Sequence, residues 1–126
     1  MNMIIAVAGG GAIGALARYA LSSQITHMIG PGYPWGILIV NIVGCFIMGV
    51  IAEAAALTWN PTPELRAFLT TGILGGFTTF SAFALDTVVL SERGDTTGTL
   101  LYVAGSVGGS IVALYVGLYV VRTLTP

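Results

Sequence analysis

Four apolar runs free of charge organise the chain: residues 3–17, 35–52, 67–85 and 96–121. The last three have 18, 19 and 26 residues, close to the roughly 20 that a helix needs to cross about 30 Å of hydrocarbon. The first reaches that length if Arg18 is tolerated and the span continues through Ala20 and Leu21 toward Ile25. Between the runs lie short connectors rich in breakers: GPGYP at 30–34, TWNPTPE at 58–64 and SERGDTTG at 91–98. Pro61 and Pro63 close the second helix and open the third. Tyr33, Trp35 and Trp59 fall near span ends, where amphipathic rings favour the membrane interface. The pattern predicts an all-α integral membrane protein, one domain over 1–126, with spans near 3–28, 35–57, 65–91 and 97–123.

Composition agrees with lipid as the solvent. Hydrophobic residues make up 56% and charged residues 7%, with a mean hydropathy of +0.94; a soluble domain is about a quarter charged. MNMIIAVAGGG has no basic residue before its apolar run, so the first span is expected to be retained rather than cleaved as a signal peptide. Cys45 is the one cysteine, which excludes an intramolecular disulfide and reads as a small packing residue. All four basic residues are arginines. Arg66 and Arg122 fall on the side of the termini; Arg93 falls on the other, joined by Arg18, which lies about 22 Å along the first helix. A Lys/Arg excess normally orients a membrane protein, and here there is hardly any. Either the chain inserts both ways and pairs head to foot, or a small bias suffices.

Four short helices cannot enclose a sizeable solvent path while each also faces lipid, so an oligomer is expected. Gly10 with Gly14, Gly72 with Gly76 and Gly105 with Gly109 have the spacing that lets helix backbones approach closely.

Polar groups inside spans are costly and point to function. Asn41 sits in ILIVNIVGCF and needs partners on another helix, for structure or for a ligand. Tyr102, Ser106 and Ser110 recur at every fourth position of the last span and share one helical face. The third span contains GGFTTFSAFALD, 75–86. Gly75-Gly76 followed by Phe77-Thr78-Thr79 is poor helix, so a break is expected there. Such a break is allowed at membrane depth only where its backbone groups are buried in protein or line a wet cavity. Its carbonyls can hold a cation. Beyond it, Phe80 and Phe83 lie on one side of the resumed helix, with electropositive ring edges able to attract an anion. Amide, hydroxyls and ring edges without lysine suit a small anion held weakly enough to leave. No set of nucleophile, base and orienting group supports an enzyme, and His27, at the end of the first span, reads as a surface residue.

GALARY, WGILIVNIVG, TTGILGGFTTFSAFALDTV and YVAGSVGGS, in that order over nearly the whole chain, resemble the Fluc (CrcB) fluoride channels. The resemblance implies an antiparallel, dual-topology homodimer with two fluoride pathways and one structural sodium ion at the centre of the interface. It implies pore roles for Phe80, Phe83, Asn41, Tyr102, Ser106 and Ser110, with Thr79 and Ser81 beside them and Arg18 near an aqueous vestibule. It also implies that the backbone carbonyls of Gly75 and Thr78 hold the sodium. Two departures stand out. The family commonly has a threonine where this chain has Ala82, removing a hydroxyl beside the phenylalanines, and often a glutamate where this chain has the shorter Asp86. The implied function is passive export of cytoplasmic fluoride across a bacterial inner membrane. The competing reading is a small proton-coupled multidrug transporter, which needs a carboxylate in the first span; that span has no Asp or Glu, and Glu53 and Asp86 lie toward span ends. A purely structural membrane subunit is the third reading.

Overall fold

The computed structural model describes residues 2–125. Helix α1 (Met3–Ile29) opens where the Asn2 side chain accepts from the Ile4 amide, and it ends at Gly30, whose φ of 107° is a conformation glycine adopts freely. Helix α2 (Trp35–Leu57) follows the GPGYP turn. The third span is assembled from pieces. Pro63 starts α3 (Pro63–Ala67), capped by the Thr62 hydroxyl on the Leu65 amide. Wider π-helical turns cover Phe68–Leu74, and α4 (Gly75–Phe77) returns to α geometry. Thr78 and Thr79 are then extended, at φ/ψ of −83°/155° and −151°/126°. Helix α5 (Phe80–Glu92) resumes, Gly94 turns the chain at φ 80°, and α6 (Thr96–Leu124) starts from an Asp95 cap on the Gly98 amide. Among the described residues four helical stretches are long and apolar enough to cross a membrane: Met3–Ile29, Trp35–Leu57, Pro63–Glu92 and Thr96–Leu124.

The break falls at Thr78-Thr79, inside the stretch expected to be poor helix. Gly75 is helical, at φ −63° and ψ −36°, and the branched threonines, which favour extended backbone, carry the interruption. The glycines are used for packing instead. A Cβ on Gly76 would stand 2.6 Å from the Gly11 carbonyl, and one on Gly72 would stand 2.9 Å from Gly10 Cα. Gly10 and Gly14 face the same seam, against Phe68, Gly72 and Ile73. Helix α1 and the first half of the third span therefore pack backbone to backbone.

Helix α2 packs along α6. Gly49 and Gly117 close that seam, a Cβ on Gly117 lying 3.1 Å from Gly49 Cα. Of the third glycine pair, Gly109 meets only the Ile42 side chain and Gly105 has open space. Where α5 meets α6, Phe83, Leu90 and Tyr102 form a buried cluster against Tyr33, Ile37, Leu38 and Val103. Large apolar side chains such as Ile4, Leu16, Leu100 and Tyr115 face outward, as lipid or a second protein surface requires.

Candidate pore site at the helix break

Asn41, on α2, reaches the break from the side. Its Nδ2 donates to the Thr79 carbonyl at 3.0 Å and its Oδ1 accepts from the Thr79 amide at 2.8 Å. The side-chain amide thus replaces the backbone partners that the break removes. The Thr79 hydroxyl accepts from the Ala82 amide at 3.1 Å and caps α5. In a continuous helix the amides of Thr79 and Ala82 would serve the carbonyls of Gly75 and Thr78. Both amides are diverted to side-chain oxygens, so those two carbonyls lose their helical donors. Among the described residues no cluster of His, Cys, Asp and Glu offers a side-chain metal site. These backbone oxygens are the donor set that suits a hard cation such as sodium.

Beside the break lies a cavity of about 260 Å³, with Asn41 and Cys45 from α2, Thr78 and Thr79 from the break, Phe80 and Phe83 from α5, and Ser106 and Ser110 from α6. No charged side chain lines it. Ser106 is only 5% exposed, and its Oγ has no hydrogen-bond partner among the described residues. The Tyr102 side chain, one turn earlier on α6, is its polar neighbour. The Phe80 and Phe83 rings lie 5.5 Å apart at 55°, but their settings differ: Phe83 is 8% exposed, Phe80 78%. The start of α5 adds the positive end of a helix dipole beside the cavity.

Tyr102 is fully buried and its hydroxyl donates to Asp86 Oδ2 at 3.1 Å. Its ring packs 5.3 Å from that of Phe83 and edge-on to Tyr33 at 5.9 Å. Of the three hydroxyl residues on one face of α6, Ser106 and Ser110 meet the cavity while Tyr102 turns to Asp86. The other side of Asp86 borders a second cavity of about 240 Å³ near the α1–α2 connector, whose rim carries Arg93. There Arg93 donates to the Gly32 carbonyl at 3.1 Å and Tyr33 to the Gly98 carbonyl at 2.8 Å. Burial, with the Asp95 carboxylate, pushes the Tyr33 phenol up from its usual range, so it stays a donor at neutral pH.

The profile of the family described as CrcB-like protein, Camphor Resistance (CrcB), matches residues 5–118. Relatives named fluoride-specific ion channel FluC match nearly the whole chain. The protein from Rhodospirillum centenum is 50% identical over 123 residues, covering 98% of each chain. That from Rhizobium etli strain CFN 42 is 48% identical over 124 residues, covering 98% of this chain and 99% of its own. The chain belongs to the CrcB family. Nothing in these matches favours a multidrug transporter.

Within this CrcB chain the fold brings Asn41, Thr79, Phe80, Phe83, Ser106 and Ser110 to one cavity, with Thr78 of the break. Ser81 stands behind them, its Oγ 3.3 Å from Thr79 Oγ1. Arg18 is not brought there: it is half-buried on α1, which contributes no wall to the cavity. His27 is exposed near the end of α1. Three features escaped the sequence reading. The Asp86–Tyr102 contact and the Glu53–Arg122 ion pair join positions on different helices and have no local signature. Cys45, read as a packing residue, faces the cavity; its place one turn after Asn41 was the available signal.

Proposed function

We propose that this CrcB chain is a passive, fluoride-selective channel of the bacterial cell membrane, not an enzyme, and that it relieves the cell of cytoplasmic fluoride. The observation that carries this reading is the uncharged cavity at the break, where an asparagine amide, two serines and the start of α5 converge. Fluoride is small and accepts hydrogen bonds strongly. Asn41 keeps one amide hydrogen beyond its bond to Thr79, and Ser106 and Ser110 add hydroxyl donors. Ring edges of Phe80 and Phe83 complete an electropositive lining without a full positive charge, which lets an anion both enter and leave. Hydrogen fluoride crosses the bilayer as a neutral acid and dissociates in the more alkaline cytoplasm; the trapped anion then leaks outward down its gradient.

In the same reading two copies insert in opposite orientations and pair antiparallel. The high exposure of Phe80 supports a second copy on that side. The carbonyls of Gly75 and Thr78, doubled by the partner, hold one sodium ion, as the ends of broken membrane helices do elsewhere. When bound, that ion supplies a fixed positive charge where carbonyl ends meet. Arg18 lies near an aqueous vestibule and Ser81 supports the lining.

Efflux from liposomes holding the purified protein, with fluoride and chloride compared at a clamped potential, tests the function. Fast fluoride loss with silent chloride is the expected result. Silence for both ions overturns it.

A further inference from the structure

We propose that Tyr33, in the α1–α2 connector, is a positioning residue for ion passage: it fixes Tyr102, and through the Tyr102 hydroxyl it holds the Asp86 carboxylate at the edge of the outer cavity. The positioning stands on the contacts alone; its effect on flux rests on the channel reading above. Tyr102 touches a wall residue of each cavity. Its ring packs 5.3 Å from that of Phe83, which lines the cavity at the break. Its hydroxyl donates to Asp86, which lines the cavity beside the connector. Phe83 and Asp86 are three positions apart on α5 and so share a face. A small rotation of Tyr102 therefore disturbs both.

Tyr33 meets Tyr102 in two ways. Its ring lies edge-on to the Tyr102 ring, at 5.9 Å and 89°, an arrangement that the ring quadrupoles favour. Its hydroxyl donates to the Gly98 carbonyl at 2.8 Å, across 65 residues of sequence. In an α-helix that carbonyl is also the acceptor for the Tyr102 amide, and its two lone pairs serve both donors. One side chain thus holds the turn of α6 that carries Tyr102 and the ring that projects from it. Gly98 is itself fixed, its amide donating to Asp95 Oδ1 at 2.8 Å. On the connector side, Tyr33 packs against Trp35 at 5.0 Å, and Arg93, just after α5, donates to the adjoining Gly32 carbonyl. The connector therefore ties the end of α5 to the start of α6, next to the Asp86–Tyr102 contact. A phenylalanine at 33 supplies the ring edge alone; the hydroxyl is what fastens that ring to α6.

Fluoride efflux from liposomes tests this with the unmodified chain, Tyr33→Phe, Tyr102→Phe and the double variant. Tyr33→Phe keeps the ring and loses one hydrogen bond, so it is expected to fold and to slow flux about threefold or more, the scale of coupling between neighbours. In the Tyr102→Phe background, where no hydroxyl holds Asp86, the same change is expected to leave flux near that of Tyr102→Phe alone. Normal flux in Tyr33→Phe overturns the proposal. So does an equal fractional loss in both backgrounds, the result that a general loosening of the fold would give. A second readout needs no flux: ¹⁹F NMR of the chain labelled with 3-fluorotyrosine at its five tyrosines. The Tyr102 resonance is the one that Tyr102→Phe removes. It is expected to shift in Tyr33→Phe, and an unchanged resonance overturns the proposal. This readout decides if Tyr102→Phe conducts too little to measure. Vesicles of the unmodified chain with no fluoride flux overturn the channel reading instead, and the resonance then decides whether Tyr33 positions Tyr102.

Discussion

Asn41 has two demands on one side chain. Its oxygen and one amide hydrogen hold Thr79 at the break, and its second amide hydrogen is what remains for an anion. Asn41→Ala removes both hydrogen bonds and strands the Thr79 backbone, at about 1–3 kcal/mol for each unsatisfied group. It is expected to lower thermal stability and to slow fluoride flux about tenfold or more, the change produced by roughly 1.4 kcal/mol in a barrier. Ser106 behaves in the opposite sense. Its hydroxyl is buried without a well-formed hydrogen bond among the described residues, so Ser106→Ala relieves a desolvation cost of about 1 kcal/mol while deleting a donor. A melting temperature at or above that of the unmodified chain, together with reduced flux, is the expected combination; a marked loss of stability would show that the hydroxyl is structurally satisfied. Phe80 contributes little to the fold of one chain, being 78% exposed. Phe80→Ile is accordingly expected to slow flux with folding unchanged, and normal flux in this variant would remove Phe80 from the path.

At the scale of elements the third span decides the architecture. Its break was legible in the sequence because glycine and threonine are poor helix formers, but which residues of that stretch leave the helix was not. Whether a glycine loosens a helix or admits a neighbour depends on what packs against it, and Gly76 meets the α1 backbone at Gly11. The threonines yield because Asn41, 38 residues earlier, supplies replacement hydrogen bonds. The four spans were readable from length and apolarity alone, which need no partner. The Gly49–Gly117 seam and the π-helical turns at Phe68–Leu74 were not, since both arise where helices meet or within an otherwise ordinary helical sequence. Two glycine substitutions separate these roles. Gly76→Val drives a side chain into the Gly11 carbonyl and is expected to cost about 1–3 kcal/mol or more, giving aggregated or poorly expressed protein. Gly105→Ala, which meets nothing within 4 Å in the chain, is expected to leave the protomer folded. Size-exclusion profiles of the two distinguish them, and equal behaviour would contradict the packing assignment.

Across the whole molecule, charge and the break converge on assembly. On the side of the termini Arg122 is paired with Glu53, and Arg66 has Glu64 two positions before it; on the other side Arg93 stands between Glu92 and Asp95. What sets orientation is the Lys/Arg count, and Arg66 with Arg122 on one side against Arg93 with the deeper Arg18 on the other leaves little to choose, in line with the antiparallel dimer proposed above. In the proposed dimer the Gly75 and Thr78 carbonyls of two chains would face one axis, where their negative ends would repel without a cation between them. Replacing sodium throughout purification by N-methylglucamine, too large for that space, is therefore expected to shift the protein from dimer to monomer and to abolish fluoride flux. Gly75 makes the decisive control. A Cβ there meets only the Thr70 carbonyl at 3.5 Å, an ordinary contact, so a side chain at 75 is compatible with the fold of one chain. If Gly75→Val folds yet fails to dimerise or respond to sodium, the loss arises between chains, at the proposed ion. A wild-type dimer that survives exhaustive sodium removal, alongside a Gly75→Val variant that assembles and conducts normally, would leave the central cation without support while leaving the pore residues untouched.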